Sequence, residues 1–189
     1  MLERAARGEL PDWAEATPPR RAHIARVAAL LDEWAAALGK DETERMRWKA
    51  AGYLHDALRD APPERLRPWL DSPFRELPPG FLHGPATAAR LDAEGIRDDE
   101  LLDAIRYHTL GHAGLRTLGR FLVAADFLEP GRPKETEWRA ELRERMTRDP
   151  DGVVREIARY KIEKSLHANA RVRPELLGLW NALAANSED

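Results

Sequence analysis

Residues 23–39 read HIARVAALLDEWAAALG, and this stretch determines the class of the fold. Its apolar side chains recur at helical spacing and form one stripe of an α-helix: Ile24, Val27, Leu31, Trp34 and Leu38. Gly39 follows, and glycine is the common residue just beyond a helix C-terminus. We therefore predict an amphipathic helix whose apolar face packs against a core.

The same periodicity predicts further helices along the chain. They lie at about residues 41–58, 85–93, 98–108, 115–128, 135–146, 152–166 and 174–184. Residues 61–80 hold six of the 14 prolines, so we expect a connection there with one short helix around 64–70. No segment alternates β-branched residues with period two, and we predict no sheet. The expectation is an all-α, single-domain helical bundle over residues 19–186, preceded by an arm of residues 1–18 in which Trp13 docks on the core.

The balance of charge bears on the partners of the protein. The 30 Lys and Arg residues stand against 33 Asp and Glu, and the formal net charge of −3 gives no general attraction to nucleic acid or to an anionic membrane. No cysteine is present to form a disulfide framework, and no run approaches the roughly 20 apolar residues of a membrane span. We expect a soluble, cytoplasmic protein without nucleic-acid or membrane partners, and we leave a homodimer open.

Two carboxylates occur in segments that are otherwise apolar. Asp126 lies in VAADFLEPGR and follows Leu122 by four positions, so it projects from the core-facing side of its helix. Asp56 follows His55 in YLHDALRD, again among apolar residues. A buried carboxylate is costly unless it is paired or bound to a metal. These positions predict either buried salt bridges with the chain's many arginines or a metal site.

Further histidines stand at the ends of predicted helices. His23 opens the first strong helix, His83 precedes the helix in LHGPATA, and His108 continues the stripe of Leu101 and Ile105. A single inward histidine is more often a hydrogen-bonded core residue than a ligand. As a set, imidazoles and carboxylates from different helices suit a metal site with nitrogen and oxygen ligands. Iron, manganese, zinc, or magnesium with added waters fit such donors.

The order H…HD…H…H…D resembles the HD-domain phosphohydrolase superfamily. The strings HGPATAARL, LLDAIRYHTLG and VAADFLEPGR are similar, more narrowly, to its YqeK branch, the symmetrical bis(5'-nucleosyl)-tetraphosphatases. This resemblance runs from about residue 20 to residue 184. It implies a bundle of the HD-domain type and hydrolysis of diadenosine tetraphosphate to two ADP by metal-activated water. It also implies one or two divalent ions, with iron expected first and manganese or another divalent ion as the alternative.

The resemblance assigns roles residue by residue. The implied metal ligands are His23, His55, Asp56 and Asp126. His83 and His108 match positions that face the substrate phosphates or a second ion, and with Asp56 they are the implied catalytic residues. The implied contacts to the nucleotide substrate are Arg20, Arg59, Thr109, Arg132 and Arg171.

Two residues depart from the pattern of the branch. Arg59 stands where a lysine is usual, and a guanidinium grips phosphate as a planar fork whereas an ammonium acts as a point charge. His112 stands where we expect another polar or basic residue.

Three alternatives to this function therefore stay open. They are an HD phosphohydrolase for cyclic nucleotides, deoxynucleotides or guanosine polyphosphates, a nucleotide-sensing protein without catalysis, and a structural bundle in which the array is accidental.

Overall fold

A computed structural model describes residues 1–185 of the chain. Within that range no residue is in a β-strand, so the predicted all-α class is confirmed. The helices are α1 Leu2–Ala6, α2 Pro18–Ala37, α3 Glu42–Leu54, α4 Pro63–Leu66, α5 His83–Ala93, α6 Asp99–Tyr107, α7 Thr117–Leu128, α8 Thr136–Arg145, α9 Pro150–His167 and α10 Pro174–Ala185. None of these helices has the length and apolar character that a bilayer span requires.

Helix ends differ from prediction where the chain turns early. Leu38, the last residue of the predicted stripe, lies in the turn after α2 and is 38% exposed. The second helix ends at Leu54 rather than near residue 58. After Leu54 the backbone forms two hydrogen bonds to the N-terminal arm. Glu15 N donates to Ala57 O (2.7 Å), and Asp60 N donates to Glu15 O (3.3 Å). Within the segment itself, turn bonds such as that from Ala57 N to Leu54 O (3.0 Å) take the place of the helical bonds.

The N-terminal arm packs on the bundle. It contains α1, a helix absent from the sequence-based prediction because five residues are too few to show periodicity. The buried residues of the bundle form a main core and a second, smaller hydrophobic cluster. Ala5 and Ala6 are buried in the main core. Trp13 packs against both, as expected of a docked side chain.

The main core lies between α2, α3, α6 and α7. At its centre the ring of Phe121 packs against Trp34 and Trp48, with centroids 5.7 Å and 4.8 Å away. Aromatic pairs at such distances contribute more than their buried area alone. The second cluster lies beneath the proline-rich connection of residues 61–80. This connection therefore packs on one side of the bundle.

Side-chain caps set where several helices begin. Asp41 accepts a hydrogen bond from Glu44 N (2.9 Å) at the start of α3, and Asp98 accepts one from Leu101 N (3.0 Å) at the start of α6. Arg47 of α3 also binds Asp98 through two nitrogens, at 2.5 and 2.8 Å. The hydrogen bonds from Arg47 are the main reason that the pKa of Asp98 lies below its usual value. The cap therefore also ties α6 to α3.

Candidate metal centre

Six side chains from five parts of the bundle meet near one end of the core, and we call them the His/Asp cluster. His23 comes from the N-terminal part of α2, and His55 and Asp56 follow the last residue of α3. His83 is the first residue of α5, His108 follows α6, and Asp126 lies in the last turn of α7. His23, His55, Asp56, His83 and His108 are each at most 5% exposed.

Two glycines let the helices approach closely enough to form the cluster. A Cβ atom on Gly52 would lie 2.5 Å from Ala28 Cα, so α3 contacts the backbone of α2 directly at this point. A Cβ atom on Gly84 would lie 2.8 Å from Ile105 O, where α5 meets α6. These contacts set His23 beside His55 and His83 beside His108, with ring centroids 5.5 Å and 5.1 Å apart.

Asp56 lies between two pairs of histidines. Its Oδ2 atom is 3.7 Å from Nε2 of both His23 and His55. Its Oδ1 atom is 3.1 Å from Nε2 of His83 and 3.4 Å from Nε2 of His108. In each of the two resulting triads all three donor atoms lie within 4.8 Å of one another, which is compatible with an ion between them. The two triads share Asp56, so the cluster offers one or two cation sites.

Asp126 lies at the edge of the first triad. Its Oδ1 atom is 3.1 Å from His23 Nε2 and 4.0 Å from His55 Nε2. The same oxygen accepts a hydrogen bond from Arg132 at 2.7 Å. On the other side of the cluster, Arg20 donates to Asp56 Oδ2, also at 2.7 Å. Each carboxylate is therefore held by one arginine that itself remains partly exposed.

The protein determines which nitrogen of three histidines faces the cluster. His55 Nδ1 lies 2.7 Å from Gly52 O, and His108 Nδ1 lies 2.8 Å from Ile105 O. His23 Nδ1 lies 3.2 Å from Glu129 Oε1. Because carbonyl and carboxylate oxygens only accept, each Nδ1 carries the proton, and the lone pair of each neutral ring is on Nε2. Partners of this kind are usual behind metal-bound imidazoles.

These lone pairs point toward carboxylate oxygens. Nε2 of His23 and Nε2 of His55 are both buried and make no hydrogen bond of normal geometry within the described chain. Acceptor atoms that face each other in a buried site repel unless a cation or a proton lies between them. This is the observation by which the residues fit a divalent ion.

The environment favours the protonation states that metal ligands need. Burial lowers the pKa of His55 to about 4, and it also lowers the pKa of His83. For Asp56, burial opposes ionisation, but the surrounding His55, His108 and His83 hold its pKa well below the usual value. Burial also opposes the ionisation of Asp126, but its contact with His23, together with the influence of His55 and His108, lowers its pKa. Near neutral pH, His55 and His83 are neutral and both aspartates are ionised.

The expected substrate contacts lie at different distances from the cluster. Thr109 is in contact with the cluster, since its Oγ1 atom is 3.3 Å from His83 Nε2. Arg20 and Arg132 bind the carboxylates of the cluster. Arg59 is half-buried. The pKa of His83 is lowered mainly by burial and by His108, and the charge of Arg59 lowers it further. Arg171 is exposed in the segment between α9 and α10 and is not among the residues that line the neighbouring cavity.

That cavity has a volume of about 450 Å³ and opens beside the cluster. Thr109, Asp126 and Arg132 form the wall that it shares with the cluster. Its other walls include Phe81, which precedes α5, Phe127 of α7, and residues in or beside α8, α9 and α10, and they combine aromatic rings with cationic side chains. Ligand pockets commonly occupy roughly 300–1,000 Å³. We call it the cationic cavity.

Sequence reasoning missed two residues of this region. Glu129 stands in the quoted string VAADFLEPGR, but nothing in the string indicates that its carboxylate meets His23 from another helix. Lys161 lies in a charge-rich helix, where a solvated lysine is the ordinary expectation. Only the packing of α9 against α7 brings it into the cationic cavity.

Comparison with known proteins gives similarities that cover most of the chain. The family model of the HD domain matches residues 20–160. A crystal structure from Clostridium acetobutylicum, described as a predicted HD superfamily hydrolase involved in NAD metabolism, superimposes with a TM-score of 0.79. The match covers 98% of this chain and 96% of that one at 20% sequence identity, so it shows a shared fold.

Curated relatives give a more specific similarity. A symmetrical bis(5'-nucleosyl)-tetraphosphatase of Bacillus subtilis is 30% identical over 122 residues, which is 61% of this chain and 64% of that protein. The enzyme of the same name from Halalkalibacterium halodurans is 30% identical over 104 residues, 54% of each chain. That of Staphylococcus aureus is 46% identical over 53 residues, 28% of this chain and 27% of the other. The matched regions span less than two thirds of these relatives.

Proposed function

The chain belongs to the HD domain family, and on that premise we propose that it is a metal-dependent phosphohydrolase acting on a nucleotide phosphoanhydride. The observation that carries the proposal is the position of Asp56 between two pairs of histidine Nε2 atoms, in a cluster that reaches the cationic cavity through Asp126. The names of the similar proteins support a narrower substrate, diadenosine tetraphosphate, cleaved symmetrically to two ADP.

His23, His55 and Asp56, with Asp126 beside them, would hold a first divalent ion. Asp56, His83 and His108 would hold a second ion or bind a phosphate of the substrate. The family resemblance favours iron, with manganese or another divalent ion as the alternative, and mixed imidazole and carboxylate donors are compatible with each of these ions. A divalent ion bound here supplies Lewis acidity toward phosphoryl oxygens and lowers the pKa of water from 15.7 to about 7.

The chain's own groups contribute orientation and positive charge. Glu129, Gly52 O and Ile105 O keep the three Nε2 lone pairs directed into the cluster. Arg20 and Arg132 hold the two carboxylates in place, and both guanidinium groups are partly exposed toward incoming substrate. Fixed donors of this kind stabilise the charge that develops on phosphoryl oxygens in the transition state.

Arg59 and Thr109 complete the proposed phosphate contacts. Arg59 makes no ion pair with any described residue, so its guanidinium is available to a phosphate group beside His83. Thr109 presents its hydroxyl 3.3 Å from His83 Nε2, at the border between the His/Asp cluster and the cationic cavity. Arg171 stays a prediction from sequence, in the exposed segment between α9 and α10.

Product analysis tests this function. Protein purified without chelators is incubated with diadenosine tetraphosphate, and the nucleotides are separated by ion-exchange chromatography. We expect ADP as the sole product, and we expect Asp56→Ala to abolish turnover because both triads lose the shared carboxylate. ATP plus AMP would reject symmetric cleavage, and full turnover by Asp56→Ala with an unchanged circular dichroism spectrum would reject the metal-dependent mechanism.

A substrate panel then separates this reading from other nucleotide hydrolases. It contains cyclic nucleotides, deoxynucleoside triphosphates and guanosine polyphosphates, each at the same concentration as diadenosine tetraphosphate. We expect the largest kcat/KM for diadenosine tetraphosphate. A larger value for another member would keep the phosphohydrolase class and replace the substrate, and tight binding without turnover of any member would indicate a nucleotide sensor.

A further inference from the structure

The cationic cavity carries more positive charge than its own carboxylates neutralise. Two carboxylates line it, Asp126 and Glu135, and both already have partners. Asp126 accepts from Arg132, while Glu135 accepts from the hydroxyl of Tyr160 at 2.6 Å and lies 3.5 Å from Arg139. Against them stand six cationic side chains: Arg132, Lys134, Arg139, Lys161, Lys164 and Arg173.

The arginines and the lysines of this cavity differ in their partners. Each arginine pairs with a carboxylate, Arg132 with Asp126, Arg139 with Glu135 and Arg173 with Glu175. No lysine of the cavity forms an ion pair or a side-chain hydrogen bond within residues 1–185. The excess positive charge therefore belongs to the lysines.

Lys161 is the lysine that lies inside the cavity. Lys134 and Lys164 are exposed at its mouth, whereas Lys161 is partly buried, with its Nζ atom 5.8 Å from the ring centre of Phe127. Burial lowers the pKa of Lys161, and the attraction of Asp126 only partly opposes this effect. A partly buried ammonium without an ion-pair partner is costly to the fold, and an anionic ligand in the cavity would supply the missing counterion.

The position of Lys161 indicates which anion would bind. Lys161 lines the cavity together with Asp126, which belongs to the His/Asp cluster, and with Arg132, which binds Asp126. A phosphate group in contact with Lys161 would thus be adjacent to the phosphoryl group at the metal centre. The rings of Phe127, Tyr160 and Phe81 in the same cavity offer apolar surface to a nucleoside.

We propose that Lys161 binds a phosphate of the nucleoside diphosphate unit that occupies the cationic cavity, next to the scissile bond. The inference rests on the proposed function, because it places one half of a dinucleoside polyphosphate in this cavity. Lys161 is then a substrate-binding residue, and the volume of about 450 Å³ is suited to one nucleoside diphosphate unit.

Isothermal titration of the metal-loaded protein with ADP tests this proposal. Lys161→Met removes the ammonium and keeps an unbranched side chain, so we expect ADP affinity to fall about 10- to 100-fold, the range for one hydrogen bond to a charged group. Lys161→Arg keeps the charge and should recover most of the affinity. The control is Lys40→Met, which follows the C-terminus of α2, at the opposite end of that helix from His23, and should bind ADP as the wild-type protein does.

Thermal unfolding of the same variants separates binding from folding. Because Lys161→Met removes an unpaired, partly buried charge, its Tm should equal or exceed that of the wild type. ADP affinity of Lys161→Met within about twofold of the wild type would overturn the proposal, as would a wild-type protein that does not bind ADP. If affinity for ADP depends on Lys161 but the protein does not hydrolyse diadenosine tetraphosphate, the proposed function is contradicted and the role of Lys161 in binding ADP stands.

Discussion

Glu129 contacts His23, one of the proposed metal ligands. Its buried carboxylate accepts from Gly131 N at 2.7 Å and from Arg26, and it faces Nδ1 of His23 at 3.2 Å. The negative charge keeps the proton of His23 on Nδ1 and makes Nε2 a stronger ligand. Glu129 is thus a positioning residue that acts through His23.

Glu129→Gln tests this role. The amide keeps the shape of the side chain but loses the charge, so we expect affinity for the first divalent ion to fall about 10- to 100-fold. Affinity is measured by competition with a chromophoric chelator, and far-ultraviolet circular dichroism checks the fold. Glu163→Gln, at a surface position of α9, is the matched control. Equal metal affinity in Glu129→Gln and the wild type would show that the charge has no part in holding the ion.

At the level of single residues, the sequence predicted the composition of the candidate site better than its surroundings. His55–Asp56 and Asp126 were identifiable because polar groups among apolar residues require a partner. Glu129, Lys161 and the pairing of Asp56 with Arg20 were not identifiable, because each depends on which helix faces meet. Local sequence does not contain that information.

At the scale of elements, the contact between α2 and α3 sets the separation of His23 and His55. It depends on Gly52, where any side chain would meet the backbone of Ala28. Gly52 also supplies the carbonyl that holds His55 Nδ1. One glycine therefore serves both the packing of the helices and the orientation of a proposed ligand.

Gly52→Ala should destabilise the protein although alanine is the better helix former. Overpacking costs about 1–3 kcal/mol, whereas the gain in helix propensity is about 1 kcal/mol. We expect a lower urea midpoint, and weaker metal binding because α2 and α3 move apart. The control is Gly80→Ala, where a Cβ atom would meet nothing within 4 Å. It should leave the midpoint unchanged. An equal midpoint for Gly52→Ala would contradict the close contact.

Periodicity located the long helices but not their ends or their partners. The stripe in residues 24–37 predicted α2 because its apolar face is buried along most of its length. The ends of α2 and α3 were predicted too late in the chain, since Leu38, Ala57 and Leu58 continue the apolar pattern but lie in turns. In the case of α3, backbone hydrogen bonds to Glu15, 40 or more residues earlier in the chain, determine the end.

At the scale of the whole molecule, the bundle brings together groups that are far apart in the chain. His23 Nε2 and Asp126 Oδ1 are 3.1 Å apart, although about a hundred residues separate these side chains in sequence. The fold holds acceptor atoms in contact without hydrogen bonds between them, which is a cost to the metal-free state. A bound cation would convert this repulsion into coordination and would stabilise the folded chain by mass action.

The metal content of the purified protein tests the central claim most directly. Elemental analysis is applied to the wild type and to Asp56→Ala, both purified without chelators and both checked for helical content by circular dichroism. We predict at least one divalent ion per wild-type chain and almost none in Asp56→Ala, since Asp56 belongs to both triads. Undiminished metal in the folded variant, or a wild type free of metal that still hydrolyses substrate in excess chelator, would contradict the account.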